Sequence, residues 1–339
     1  MILKKIFQPK NIALGLFVLL ALITLNLTIT YLKTSSTFIF EFPKKPEYHL
    51  QVRSIDTVKY SRDIAREKEE DQSFDAVIAR QVSDIAGTGA THIAIGTPYD
   101  AEFIPFLRRW VEEARKNNLK IWFRGNFSGW EGWFGYPKIN RETHTRLTGE
   151  FILNNADLFE DGDIFTPCPE CENGGGGDPR RTGDVAGFRK FLIDEYTITK
   201  DAFSKVNKKV LAGYFSMNGD VASLVMDKDT TTALGGIVVV DHYVKDVDTL
   251  IKDIRNYAQN TGGKVVLGEF GVPIPDIHGN MSEDEQNEWL KDAFEKFKQT
   301  PELIGVNYWL SVGGSTQLWD GDGMPKKAVE TIKKYYSRK

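Results

Sequence analysis

Short apolar runs alternate with longer amphipathic stretches from about residue 48 to the end of the chain. The short runs are rich in Val, Ile and aromatic residues, which is typical of β-strands. Some of them, such as residues 237–240, are apolar throughout, as expected for a parallel sheet covered on both faces. The pattern predicts eight strands, at residues 48–54, 92–96, 120–124, 163–166, 209–214, 236–241, 264–267 and 304–309.

The stretches between these strands carry apolar residues at the spacing of one helix face. They predict helices at residues 74–87, 102–117, 142–158, 185–206, 247–259, 283–298 and 326–336. A further helix is predicted at 221–234, although its three consecutive threonines are β-branched and weaken a helix. Eight strands, each followed by a helix, predict an α/β fold of the closed (β/α)8 TIM-barrel type. No Gly-x-Gly-x-x-Gly motif follows the first strand, which disfavours a dinucleotide-binding fold.

The N-terminus has a different pattern. Residues 12–32 form a run of 21 residues without a charge, long enough to cross a bilayer core of about 30 Å. Three lysines precede the run and Lys33 follows it, which favours a cytoplasmic tail at residues 1–11. We predict an uncleaved transmembrane signal anchor, then a tether at residues 33–47. A cleaved signal peptide is the alternative, but the run is longer than usual and lacks a small-residue cleavage motif. In both cases the domain at residues 48–339 is expected outside the cytoplasm, in an extracellular or periplasmic location.

Composition narrows the function classes. The chain has 339 residues, of which 41% are hydrophobic and 27% are charged, so it is neither disordered nor a small disulfide-dense protein. The net charge of −4 offers no basic surface, so we expect no nucleic-acid partner. The sequence leaves the oligomeric state open.

Carboxylates follow two of the predicted strands. Glu269 lies between glycines, in Gly268-Glu269-Phe270-Gly271 after strand seven, where the backbone leaves room for a ligand. Glu170 and Glu172 follow strand four, among prolines and before four glycines. The active sites of TIM barrels lie at the C-terminal ends of the strands. Hydrolysis of a glycosidic bond with retention needs two carboxyl groups there, about 5–5.5 Å apart.

With these residues the chain resembles the large clan of retaining (β/α)8 glycoside hydrolases, whose catalytic glutamates lie on strands four and seven; the cellulase and mannanase family numbered five is the closest general comparison. VVLGEFG at residues 265–271 is similar to the nucleophile strand of that clan, and DGDGMPKKA at residues 320–328 is similar to the ends of many members. The resemblance implies that Glu269 is the nucleophile and that Tyr243, after strand six, hydrogen-bonds it. It also implies that Trp309, at the end of strand eight, forms a floor for the sugar.

Strand four departs from the Asn-Glu pattern of the clan, because Pro169 precedes Glu170 and Cys171 precedes Glu172. Counting along the strand favours Glu170 as the acid/base. Glu172 stays possible, since a bulge or tight turn at the prolines shifts the register by two. Asn173 is a candidate for the missing amide. Asp241 stands where family five commonly has a histidine, so we do not assign the chain to that family.

The loop after strand three adds candidates for sugar binding. Residues 127–136 contain five aromatic residues spaced by glycines, and rings beside a cleft stack on sugar faces. Trp130 is the predicted stacking ring; the alternative is a lid packed on its own rings. Arg124 and Asn126, at the mouth of strand three, are predicted donors to sugar hydroxyls, although Arg124 equally suits a structural ion pair.

Cys168 and Cys171 form a C-x-x-C motif. The motif lacks the thioredoxin-like context of a redox site, and the five histidines of the chain show no spacing that would complete a zinc site. In an exported chain a disulfide that braces the strand-four loop is favoured, with free thiols as the alternative. No metal or cofactor is expected.

The sequence therefore predicts a membrane-anchored retaining glycoside hydrolase that cleaves a β-linked poly- or oligosaccharide by double displacement. The β-linkage comes from the resemblance alone, and the choice between internal and terminal cleavage stays open. The altered strand-four motif motivates a first alternative, a carbohydrate-binding barrel without catalysis. A transglycosylase that uses the same residues is the second.

Overall fold

The computed structural model describes residues 50–337, and eight parallel strands form a single sheet in this part of the chain. The order in the sheet is β4-β3-β2-β1-β8-β7-β6-β5, so that β1 pairs with both β2 and β8. The strands are β1 (Val52–Asp56), β2 (His92–Ile95), β3 (Lys120–Phe123), β4 (Ile164–Phe165), β5 (Ser216–Asn218), β6 (Ile237–Asp241), β7 (Lys264–Phe270) and β8 (Leu303–Tyr308).

Helices connect the strands in the order that the sequence predicts. They are α1 (Asp75–Gly87), α2 (Ile104–Lys116), α3 (Arg141–Asn154), α4 (Val185–Lys205), α5 (Gly219–Val225), α6 (Lys228–Ala233), α7 (Val247–Thr261), α8 (Glu283–Phe297) and α9 (Ala328–Tyr336). Single helical turns lie at Val58–Ser61, Ala65–Lys68, Ser128–Glu131, Pro179–Thr182 and Pro275–His278. Local signals set several helix starts: Ser282 and Glu285 form a capping box at α8, and Asp246 caps α7. The α/β fold of the TIM-barrel type is confirmed.

Backbone hydrogen bonds join β4 to the chain just before β5. The Leu211 N–H donates to the Asp163 carbonyl at 2.7 Å, and the Phe165 N–H donates to the Leu211 carbonyl at 2.9 Å. Inside this ring lies a small apolar cluster with members from neighbouring strands, and a larger core fills the space between strands and helices. The inner cluster consists of Val52, Ala94, Trp122, Ile164, Tyr214, Val239 and Val266. Its packing holds the strand ends, and with them the site, at fixed positions.

Two predicted elements are wrong in detail. The fifth strand is Ser216–Asn218 rather than 209–214, because Gly213 has a φ of +84° and turns the chain before it pairs with β6. The predicted helix 221–234 is divided into α5 and α6, because the Asp227 side chain accepts from the Thr230 N–H and starts a new helix.

The predicted anchor, residues 12–32, and the tether, residues 33–47, lie outside the described residues. Within residues 50–337, no helix is long and apolar enough to span a bilayer.

Candidate active site

One buried arginine connects the strand ends at the mouth of the barrel. Arg124 follows β3 and is 6% exposed. Its Nη1 donates to Asp56 Oδ2 at 2.8 Å, and its Nη2 donates to Glu269 Oε1 at 3.1 Å. The same Nη2 lies 3.5 Å from Asp241 Oδ2. Arg124 is therefore the ion-pair partner of carboxylates from β1, β6 and β7, the second of its two predicted roles.

Glu269 lies within β7, and its side chain opens partly to solvent. Its Oε2 accepts from the Tyr243 hydroxyl at 2.9 Å, which is the contact that the resemblance implied. Burial raises the pKa of Glu269 to about 7, with Arg124 acting against this rise and the charge of Glu170 adding to it. The residue before Glu269 has to be glycine, because a Cβ at Gly268 would lie 2.4 Å from Asp241 Oδ1. The hydrogen bonds from Arg124 and Tyr243 thus stabilise the ionised form of Glu269.

Asp241 is a carboxyl group that the sequence analysis did not place in the site. It ends β6, is 5% exposed, and neither of its oxygens has a hydrogen-bond partner among the described residues. Burial, followed by the charge of Glu269, raises the pKa of Asp241 well above its usual range. Asp241, Asp56 and Glu269 thus surround the single positive charge of Arg124.

Glu170 lies on a tight turn that a disulfide closes. Cys168 and Cys171 are joined with a Cα–Cα distance of 5.2 Å, which confirms the predicted disulfide. Glu170 adopts a left-handed conformation, with φ of +45°, and its N–H donates to the Ser216 carbonyl at 2.8 Å. A left-handed backbone costs a non-glycine residue roughly 1–2 kcal/mol, so the surrounding contacts hold this turn in place. The turn directs Glu170 toward the middle of the mouth.

Glu170 and Glu269 line the same pocket, whereas Glu172 does not reach it. Glu172 is 2% exposed and lies beneath the turn, where its Oε1 accepts from the Asn218 N–H at 2.8 Å. The Glu170 carboxylate accepts from Asn173 Nδ2 at 3.1 Å and from Asn218 Nδ2 at 3.2 Å. Asn173 thus contacts the carboxylate itself.

The pocket also contains residues that the sequence analysis missed. It is lined by Asp56, Val58, Arg62, Gly96, Arg124, Glu131, Trp133, Pro169, Glu170 and Glu269. Arg62 lies over the Trp133 ring, 4.7 Å from its centre. Burial raises the pKa of Glu131 to about 7, and Arg62 acts against this rise. The aromatic-rich loop was a usable signal for Trp133, since it contains both this ring and Trp130.

Two predicted sugar contacts are wrong, because the side chains are buried. Trp130 is 1% exposed, stacks on Phe191 at 5.1 Å, and donates from Nε1 to the Cys171 carbonyl at 3.2 Å. Asn126 is fully buried, and its Oδ1 accepts from the Phe127 N–H. Both residues support the disulfide turn from below, so this part of the loop is the packed lid of the alternative interpretation.

Trp309 and Tyr243 lie together at the ends of β8 and β6. Both side chains are partly exposed, and their rings meet edge to face with centres 5.9 Å apart. The Trp309–Leu310 peptide bond is cis. Among residues 50–337, no group of three or more His, Cys, Asp and Glu side chains is arranged to hold a metal ion.

Solved structures that share the (β/α)8 fold of this chain include glycoside hydrolases. A GH5_18 protein from Bifidobacterium longum subsp. longum, in complex with Manb1-4GlcNAc, is 14% identical and matches 85% of this chain and 78% of its own with a TM-score of 0.66. The β-glycosidase BGL167 is 12% identical over 86% of this chain and 97% of its own, with a TM-score of 0.56.

A β-D-glucuronidase from Dictyoglomus thermophilum is 14% identical over 86% of this chain, with a TM-score of 0.57, and the match spans about half of its length (51%). No protein-family model and no curated protein sequence matches the chain. At these identities the similarity shows a shared fold.

Proposed function

We propose that the domain is a retaining glycoside hydrolase that acts on a β-linked poly- or oligosaccharide by double displacement. The observation that carries the proposal is that Glu170 and Glu269, from opposite sides of the barrel mouth, line one pocket. The solved structures with this fold include glycosidases by name, which supports the reaction class. The partly exposed rings of Trp133 and Trp309 offer apolar faces for sugar rings.

Glu269 is the proposed nucleophile. Its carboxylate forms a bond to the anomeric carbon while the glycosidic bond breaks, and the electrons of that bond pass to the leaving oxygen. Arg124 donates to Glu269 from a cationic group and Tyr243 from a neutral hydroxyl, and both bonds stabilise the ionised carboxylate.

Glu170 is the proposed acid/base. Burial raises the pKa of Glu170, and the charge of Glu172 raises it further. The direct hydrogen-bond donors of Glu170 are neutral amides, whereas Glu269 accepts from the charged Arg124. The proton therefore belongs on Glu170, which transfers it to the leaving oxygen. Once Glu269 is esterified its charge is gone, the pKa of Glu170 falls, and Glu170 takes a proton from the water that releases the sugar.

The proposal is tested by measuring how the kcat/KM of the Glu170→Gln variant depends on the leaving group of the substrate. We expect kcat/KM to fall at least about 10²-fold on substrates with a sugar leaving group, and far less on 2,4-dinitrophenyl glycosides, which need no protonation to leave. Azide, which needs no general base, should restore the second step in Glu170→Ala and yield a β-glycosyl azide. A panel of 2,4-dinitrophenyl β-D-glucoside, β-D-mannoside and β-D-glucuronide with matched oligosaccharides supplies the substrates.

Glu172→Gln, assayed beside Glu170→Gln, separates the two candidates for the acid/base. Equal and small losses in both variants would contradict the assignment of either residue. Sugar binding without turnover in the unmodified protein would favour the non-catalytic barrel.

We also propose that the domain is exported and anchored by residues 12–32. The uncharged run and its flanking lysines support an anchor, and the Cys168–Cys171 disulfide suits an oxidising compartment. In cells that express the full chain, the protein is expected in the membrane fraction and should be digested by protease added outside the cytoplasmic membrane. Recovery of the full-length chain in the soluble cytoplasmic fraction would contradict the proposal.

A further inference from the structure

Asn218 joins Glu170 to the buried carboxylate beneath it. This residue ends β5, and its Nδ2 lies 3.2 Å from Glu170 Oε1 and 3.0 Å from Glu172 Oε1. Its backbone N–H donates to the same Glu172 oxygen at 2.8 Å. The side-chain amide of Asn218 therefore donates to both carboxylates of the turn, and Glu172 holds Asn218 by two bonds, one to this amide and one to the backbone N–H.

Glu172 is an unusual group to bury. It is 2% exposed, and its Oε2 has no hydrogen-bond partner among the described residues. A buried polar atom without a partner costs roughly 1–3 kcal/mol, so Glu172 is a poor choice for stability alone. The side chain also does not line the pocket, and a direct contact with substrate is therefore not its role.

We propose that Glu172 and Asn218 are positioning residues for Glu170: Glu172 fixes the Asn218 amide, and the amide fixes Glu170 in the pocket. The ionised Glu172 carboxylate, so close to Glu170, would also disfavour ionisation of Glu170. The inference rests on the proposed function, because it assumes that Glu170 is the acid/base. It places on β5 a side-chain amide that contacts Glu170. Neither Pro169 nor Cys171 can donate such a bond from a side chain.

The charges around Glu170 agree with this role. Burial raises the pKa of Glu170 most, the charge of Glu172 raises it further, and Arg124 and Arg62 lower it. Burial also raises the pKa of Glu172, and the Asn218 donors and Arg180 oppose that rise and favour its charged form. The remaining charged or titratable groups that act on this pair come from other elements of the mouth. They are Glu131 of the loop after β3, Asp241 of β6, Glu269 of β7, and Arg180, which acts on Glu172 from the loop before α4.

Glu172→Gln tests the role of the charge, because glutamine keeps an oxygen for the Asn218 donors. Removal of the charge lowers the pKa of Glu170, so Glu170 loses its proton at a lower pH. We expect the alkaline limb of the kcat/KM profile, measured with a sugar leaving group, to move to lower pH by on the order of one unit. The control is Glu288→Gln on the outer face of α8, which removes the same charge from a position exposed to solvent. The proposal is wrong if the alkaline limb of the kcat/KM profile does not shift in Glu172→Gln, or if it shifts equally in Glu288→Gln.

Asn218→Ala tests the positioning itself. We expect kcat to fall about 10- to 100-fold on substrates with a sugar leaving group, with KM within about threefold and a much smaller loss on 2,4-dinitrophenyl glycosides. A purely structural defect would lower the rates on both substrate types equally, and that result overturns the proposal. If Glu172→Gln fails to fold, the leaving-group comparison with Asn218→Ala decides alone.

Glu170→Gln in the same assays distinguishes failure of the proposed acid/base from failure of the positioning role. If Glu170→Gln retains its activity on sugar leaving groups, the proposed function is wrong. If Glu170→Gln is impaired while the Glu172 and Asn218 variants behave as wild type, the acid/base assignment stands and the positioning role alone is wrong.

Discussion

Replacement of Glu269 by glutamine is expected to lower kcat/KM by about 10⁴-fold or more, because the amide cannot form the glycosyl ester on which both steps depend. Folding should be unaffected. Arg124 keeps its bond to Asp56 in the variant, and the change removes a carboxyl group whose pKa burial already raises to about 7. The measurement is kcat/KM on a 2,4-dinitrophenyl glycoside, together with the melting temperature, with Glu288→Gln as the matched surface control.

A second assay identifies the covalent step directly. A 2-deoxy-2-fluoro glycosyl fluoride should inactivate the unmodified enzyme and leave one added sugar on the peptide that contains Glu269. Glu269→Ala with azide should give the α-glycosyl azide, the opposite anomer to the product expected from Glu170→Ala. Activity of Glu269→Gln above about one hundredth of wild type would show that Glu269 is not the nucleophile.

Replacement of Arg124 should lower the free energy of unfolding more than any other substitution proposed in the site. Arg124→Met leaves the buried Asp56 and Glu269 without their shared cation, and loss of one partner of a buried ion pair typically costs about 3–5 kcal/mol. For a domain of this size, that corresponds to a fall in melting temperature on the order of 10 °C. The control is Arg108→Met, which removes a solvent-exposed partner of Asp157 and should change the free energy of unfolding by less than about 1 kcal/mol.

The destabilisation by Arg124→Met should depend on pH. Burial raises the pKa values of Asp241 and Glu269 in the folded state, Arg124 opposes both rises, and its removal should raise these two pKa values further. Their contribution to stability is then retained at low pH and lost as the pH rises through those values. The difference from wild type should therefore be larger at pH 8 than at pH 5. An equal loss at both pH values would show that lost packing, rather than unpaired charge, is the cause.

The alternation of strands and helices was sufficient to predict the fold, because each buried strand is marked by its own apolar residues. The ends of strands were harder to place. The first predicted strand stops at residue 54, whereas β1 continues to Asp56, whose polar side chain interrupts the apolar pattern because it faces Arg124. The fifth was predicted at residues 209–214, which include Gly213, and Asn218 at the end of the actual strand was therefore missed. Asp56 and Asn218 both lie at the end of a strand, just beyond the apolar residues from which the strand is predicted.

The disulfide turn shows a second limit of the sequence. Nothing in Pro169-Glu170-Cys171-Glu172 distinguishes the carboxylate that faces the pocket from the one beneath it. The distinction comes from the left-handed backbone at Glu170, a conformation that sequence patterns associate with glycine. Likewise, Trp130 and Trp133 lie in the same loop, and only tertiary packing against Phe191 determines which of the two rings is buried.

The pairing of β1 with β8 determines when this domain can fold during synthesis. Val52 pairs with Gly305, a partner about 250 residues later in the chain, so a growing polypeptide cannot complete the ring until its last strand has been made. Until then β1 and β7 each have one unpaired edge, which is prone to aggregation. Release of the chain from the ribosome before β8 is made would therefore leave both of these edges open.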